Sequence, residues 1–319
     1  MSVESDLRKD GIKVVDILDT MTVNRIAHNI ATKLCETFPE LCFNESDLFA
    51  KLARLTMYRA EMPEGMAEAN YFYKNTSIYF NERVAIEDLE EFAIHECIHY
   101  IQEIKDKRNN LIRMGLCNFD ALKITGMGLN EAAVQFLTAK VIGIQKEAVK
   151  YFNISFETVS PSYYPLECNL IEQLTYFTGE EILFDSTFTS NDKFKNYFIS
   201  LTSNKTFNEV ELCCDQILEL EEEILTLNNK LSEFDERCNK TNKIIEKQEV
   251  QKQKITETFL KAQNSIIKGY FDNAFKNISN LEELDNYRKK LDHFGNLIGR
   301  TDDYTFFDDY YTEKMSQLE

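Results

Sequence analysis

HECIHYIQ, residues 95 to 102, holds two of the four histidines in a chain of 319 residues. They stand four positions apart, and a glutamate follows the first. A helix turns about 100° per residue, so positions i and i+4 project within about 40° of each other, one turn apart. The neighbouring residues predict that helix. Ile86, Leu89, Phe92, Ala93, Cys97, Ile101 and Ile104 recur at helical spacing between Val84 and Lys105. Glu87, Asp88, Glu90 and Glu91 crowd its first turns, at the positive end of the helix dipole. His95 and His99 can then offer ring nitrogens to one point, where zinc accepts imidazole at about 2.0–2.1 Å. Glu96, on the adjoining flank, is placed to take a proton from a water activated at the metal and pass it to a leaving amine. Cys97 lies about 160° from His99 around the axis, so it faces away and reads as core.

A tetrahedral site needs a ligand from elsewhere in the chain. Glu103 and Asp106 are too near His99 on the same helix to close it. GLNEAAVQFLTAK, residues 128 to 140, opens a second helix after the loop Thr125-Gly126-Met127-Gly128, and its acid is Glu131. Two His and one Glu leave a fourth position open, which is the catalytic form of a zinc site. His28, among Ile26, Ile30 and Leu34, and His293, far downstream, read as structural. Peptide hydrolysis would also need a donor to the developing oxyanion. Tyr163 and Tyr164, in the break SPSYYP (160 to 165), are the candidates, whereas Tyr176 sits on a helix and reads as core.

On His95, Glu96, His99 and the pair Asn130-Glu131 the chain resembles the gluzincin metallopeptidases, the thermolysin-like group of zinc enzymes. The likeness spans roughly residues 55 to 185. It implies a zincin-like fold with one zinc ion held by His95, His99 and Glu131, and peptide-bond hydrolysis with Glu96 as general base. It also implies an extended substrate lying along a β-edge near the site. ANYFYKNTSIYFNE (69 to 82) provides such an edge, as two strands near 70–73 and 77–80 joined by a turn at Lys74-Asn75-Thr76. In one place the chain departs from the family. Where the family has an acid one turn after the glutamate ligand, to orient a histidine, this chain has Gln135. Gln135, Asn130, Gln102 or a backbone carbonyl could take over that task.

Composition bounds the rest. The net charge of −18 disfavours nucleic acid and anionic membrane surfaces and suits a basic substrate or partner. The N-terminal twenty residues lack the apolar segment of a signal peptide, and no run of 18 apolar residues predicts a membrane span. Eight scattered cysteines without a CxxC pair point to a reducing compartment, so a cytoplasmic protein is expected. With 10 Gly and 4 Pro, the chain predicts an α+β fold that is mainly α.

Two regions are expected: a zincin-like domain over 1–205, and a helical or coiled-coil region with an acidic aromatic tail over 206–319. A helix is predicted over 12–39, on the spacing of Val14, Val15, Ile17 and Leu18 and of Ile26, Ile30 and Leu34, and another over 46–58. A polar linker with one short element is predicted over 106–128, and a helix over 166–178 ending at Gly179. Val210, Cys213, Ile217, Leu220, Ile224, Leu227, Leu231, Phe234 and Cys238 alternate three and four residues apart, an a/d seam. A polar stretch, 239 to 254, separates it from a second apolar helix running from Ile255 to Ile278. That order predicts an antiparallel helical hairpin, or self-association or partner binding through 210–238. A rival reading follows from it, in which a zincin-like scaffold without activity works through these helices. In that scaffold Glu96 would have little reason to be Glu.

Overall fold

The structure, a computed structural model, describes residues 3–9, 11–120, 123–232, 239–298 and 305–317. It is predominantly helical with small sheets. A short helix, α1 (Val3–Lys9), leads into strand β1 (Lys13–Ile17), and α2 spans Thr20–Thr37. The helix predicted from residue 12 therefore starts eight residues late. Asp19 explains the boundary, because its carboxylate accepts the Met21 and Thr22 N–H groups and caps α2. Ahead of that cap the β-branched Val14, Val15 and Ile17 form an edge strand, 44%, 51% and 56% exposed. Ile26, Ile30 and Leu34 on α2 are buried as expected.

A second correction concerns 46–58. Asn44 caps α3 (Glu45–Leu52), and the chain then extends into β2 (Thr56–Glu61). The predicted hairpin is present as β3 (Ala69–Phe72) and β4 (Ser77–Asn81), paired Ala69↔Phe80 through Phe72↔Ser77. Its turn passes through Thr76 in the left-handed region, φ 55°. The first sheet has the order β1-β2-β4-β3, with β2 and β4 parallel, so β3 is an edge. Helix α4 (Leu89–Gln102) packs across it.

The predicted linker after α4 is a four-stranded meander: β5 (Glu103–Lys105), β6 (Leu111–Met114), β7 (Cys117–Phe119) and β8 (Ile124–Thr125). Strands of two to four residues are too short to display a period of two. Next comes α5 (Met127–Ile142), buried on nearly every face and threaded through the middle of the core. A hairpin of β9 (Glu147–Tyr151) and β10 (Ile154–Thr158) leads to α6 (Pro165–Thr178), the helix predicted over 166–178. The remaining elements are α7 (Glu180–Thr189), α8 (Lys193–Leu201), α9 (Asn204–Ser232), α10 (Asn239–Lys276), α11 (Leu281–Leu297) and α12 (Phe306–Ser316).

Helices α9 and α10 run antiparallel. Gln248 Nε2 donates to Asn228 Oδ1 near one end, and Lys261 pairs with Glu209 toward the other. The polar stretch 239–254, expected as a connection, is the first half of α10 itself. Of the predicted seam, Val210, Cys213, Ile217 and Leu227 are buried, while Phe234 and Cys238 lie outside the described residues. One continuous apolar cluster joins residues from Val23 on α2 to Tyr310 on α12. No helix among the described residues is long and apolar enough to cross a membrane.

Two contacts fix α5 in the core. The helix starts at Gly126 (φ 78°), which has no side chain to cap it. Asp215 on α9 does so instead, accepting the Gly126 N–H at 3.0 Å and the Gly128 N–H at 2.9 Å. Gly128 itself allows close approach, since a Cβ there would sit 2.3 Å from the Cys214 carbonyl oxygen.

Candidate metal centre

Helix α4 presents His95, Glu96 and His99, and α5, packed beside it, presents Glu131 one turn beyond Gly126. His95 Nε2 and His99 Nε2 are 3.0 Å apart. Glu131 Oε2 lies 3.2 Å from the first and 3.3 Å from the second. Ligands held at zinc's usual bond lengths in a tetrahedron would be about 3.3–3.4 Å apart. Among the described residues these three form the group of His, Cys, Asp and Glu side chains that could hold a metal ion.

The donor set points the same way. His95 Nδ1 is 3.0 Å from Gln135 Oε1. The amide oxygen accepts, so Nδ1 carries the proton and Nε2 faces Glu131 with a free lone pair. A lone pair and a carboxylate oxygen aimed at one point suit a cation between them. Gln135 therefore takes the orienting task that the sequence left open. Asn130 is engaged elsewhere: its Oδ1 accepts the Leu116 N–H at 2.9 Å, and its Nδ2 faces Gln102 Oε1 at 3.5 Å. That pair ties α5 and α4 to the β6–β7 turn. His99 Nδ1 is buried and has no hydrogen-bond partner among the described residues.

The two carboxyls at the centre differ. Burial by itself would raise Glu131, but the neighbouring His99 and His95 outweigh it and hold Glu131 well below the usual carboxylate range. Burial pushes the Glu96 carboxyl up to about 7, against the pull of His95 and with the Glu131 charge adding to the rise. A carboxyl poised there suits a general base at neutral pH. Glu96 Oε2 accepts the Tyr71 backbone N–H from β3 at 2.8 Å, and the residue lines the adjoining cleft. No sequence signal marks Tyr71, because the group that matters is a main-chain amide. Its hydroxyl donates to Glu103 Oε1 at 2.8 Å, and that contact turns Glu103 away from the centre.

The centre opens into a cleft of about 680 Å³, which Tyr163 and Tyr164 line. Tyr164 precedes the first turn of α6 in the left-handed region, φ 50°, and its ring stacks at 29° to that of His95 with centroids 6.3 Å apart. Tyr163 is 39% exposed, further toward the rim. The remaining alternatives fall away by position. Asp106 accepts the Arg108 and Asn110 N–H groups of its own turn. His28 is exposed beside Thr32 and Glu45. His293 sits 3.2 Å from the Tyr176 hydroxyl, and Cys97 is in the core.

No protein-family model matches this chain, and comparison with curated proteins and with solved structures found no significant match.

Proposed function

We propose that this chain is a zinc-dependent peptidase. The observation that carries the reading is the convergence of His95 Nε2, His99 Nε2 and Glu131 Oε2 at 3.0 to 3.3 Å, with a buried carboxylate, Glu96, beside them and an open cleft in front. The residue pattern is the one that resembles the gluzincins. Zinc held there would polarise a substrate carbonyl and bring the pKa of a water near 7.

The chain's own groups do the rest. Glu96 Oε1 takes a proton and returns it to the departing amine, while the Tyr71 N–H keeps Oε2 in place. Gln135 holds His95 in the tautomer that leaves Nε2 free. The Tyr164 hydroxyl, with Tyr163 nearer the rim, supplies a donor to the developing oxyanion. Extended substrate lies along the free edge of β3.

Metal analysis of the purified protein beside a His95→Ala variant tests the reading. One zinc per chain is expected in the first and much less in the second. Glu96→Gln should keep its zinc and lose peptide hydrolysis. Absence of stoichiometric metal from the wild type would overturn the proposal. Zinc without cleavage of any member of a broad peptide library would favour the scaffold reading, in which the α9–α10 pair does the work.

A further inference from the structure

The walls of the cleft carry charge of one sign. Six glutamates line it, and no lysine or arginine does among the described residues. The whole chain has 36 Lys and Arg against 54 Asp and Glu. A wall of average composition would thus show about two bases for every three acids. Two of the six, Glu96 and Glu131, belong to the metal centre, and a divalent cation there would offset them. The other four are uncompensated by any base in the wall. Glu68 precedes β3, Glu91 is on α4, Glu147 opens β9 and Glu222 is on α9. Four separate elements bring them to one opening, so they do not form the solvated face of a single helix. Glu91, Glu147 and Glu222 are exposed and Glu68 is half-buried.

Aromatic and apolar side chains share the wall with these acids. Tyr71, Tyr73, Phe119 and Ile124 all line the same cleft. Lysine and arginine side chains need both features: an apolar wall for the methylene stem and a carboxylate for the charged end.

We infer that the cleft selects cationic peptide segments, with lysine or arginine side chains of the bound chain directed at Glu68, Glu91, Glu147 and Glu222 on either side of the scissile bond. The position of that bond rests on the peptidase reading; the charge preference does not. Like-charged segments would be turned away by the same groups.

The test reads binding apart from cleavage. Fluorescent ten-residue peptides of one sequence, carrying Lys and Arg, Gln, or Glu at the same positions, are titrated against the Glu96→Gln protein by anisotropy. The cationic peptide should bind at least about tenfold tighter than the neutral one, and the acidic peptide weakest. Combining Glu68→Gln, Glu91→Gln, Glu147→Gln and Glu222→Gln should bring the cationic and neutral peptides within about twofold of each other. A matched variant removes the same charge at exposed positions outside the cleft, with Glu36→Gln, Glu40→Gln, Glu246→Gln and Glu282→Gln. It should keep the preference. Equal affinity for the three peptides would overturn the inference, as would an equal loss in the matched variant, which would assign the effect to net charge. In either case a zinc-loaded, hydrolytically active wild type would leave the peptidase standing. A metal-free protein that kept the preference would remove the peptidase and support the cleft's selectivity.

Discussion

Carboxylates leave water in two neighbouring places in this molecule, and the two places treat them in opposite ways. At the candidate metal centre Glu131 meets two imidazoles and is held strongly acidic. Under α9, Glu167 and Glu221 meet each other. Burial, and then the Glu221 charge, push Glu167 far up, and burial raises Glu221 in spite of a hydrogen bond with Tyr151. Both Glu167 oxygens and Oε1 of Glu221 have no hydrogen-bond partner among the described residues. Burial pushes upward at both places, and the neighbour decides whether that push is offset. Imidazoles outweigh it at Glu131, whereas at Glu167 a second acid adds to it.

The sharpest way to break this contrast is at Glu131. Glu131→Gln keeps the shape and removes the charge that balances the two histidines. Zinc affinity should fall at least a hundredfold, roughly the upper end of what losing an orienting group costs, as read by chelator competition. A smaller loss would mean that Glu131 does not ligate. Gln135→Leu removes only the acceptor behind His95. A loss of about tenfold to a hundredfold in the same titration is expected, with the fold intact by circular dichroism.

The acid pair predicts a pH effect of defined sign. Its folded pKa values lie above the ordinary 4.5. The stability it contributes is fully present below that value and is lost as pH rises through the folded values, about 7 for Glu221. Denaturant midpoints should therefore fall between about pH 5 and 8. Glu167→Met, similar in volume and without charge, should flatten that slope and add about 1–2 kcal/mol at pH 8. An unchanged slope would remove Glu167 from the account. The smallest effect expected is at Asp215. Asp215→Ala removes the acceptor for the first N–H groups of α5 and should cost about 1 kcal/mol by denaturant titration. Zinc affinity should drop with it.

The parts of this centre that could be read from the sequence are those that lie close together along it. His95, Glu96 and His99 share one helical turn, and the amphipathic spacing around them announces the helix. Glu131 could be proposed because a glycine loop and an Asn-Glu pair mark the start of α5. The fate of Gln135 was open, since three other groups could equally have reached His95, and only packing shows which one does. Tyr71 and Asp215 gave no sign of their roles. One acts through a backbone amide 25 residues from its partner; the other acts from α9, 87 and 89 residues away. The N-terminal strand is hidden in the sequence for a different reason. Val14, Val15 and Ile17 fit a helical stripe as well as an extended edge, and the Asp19 cap that separates the two is a single residue. The meander after α4 leaves no pattern in the sequence because its strands are too brief to repeat.

The Gly128 contact sets how near α9 can lie to α5. A side chain at that position would meet the Cys214 carbonyl and force the two helices apart, so the spacing that lets Asp215 reach the Gly126 and Gly128 N–H groups depends on a missing methyl.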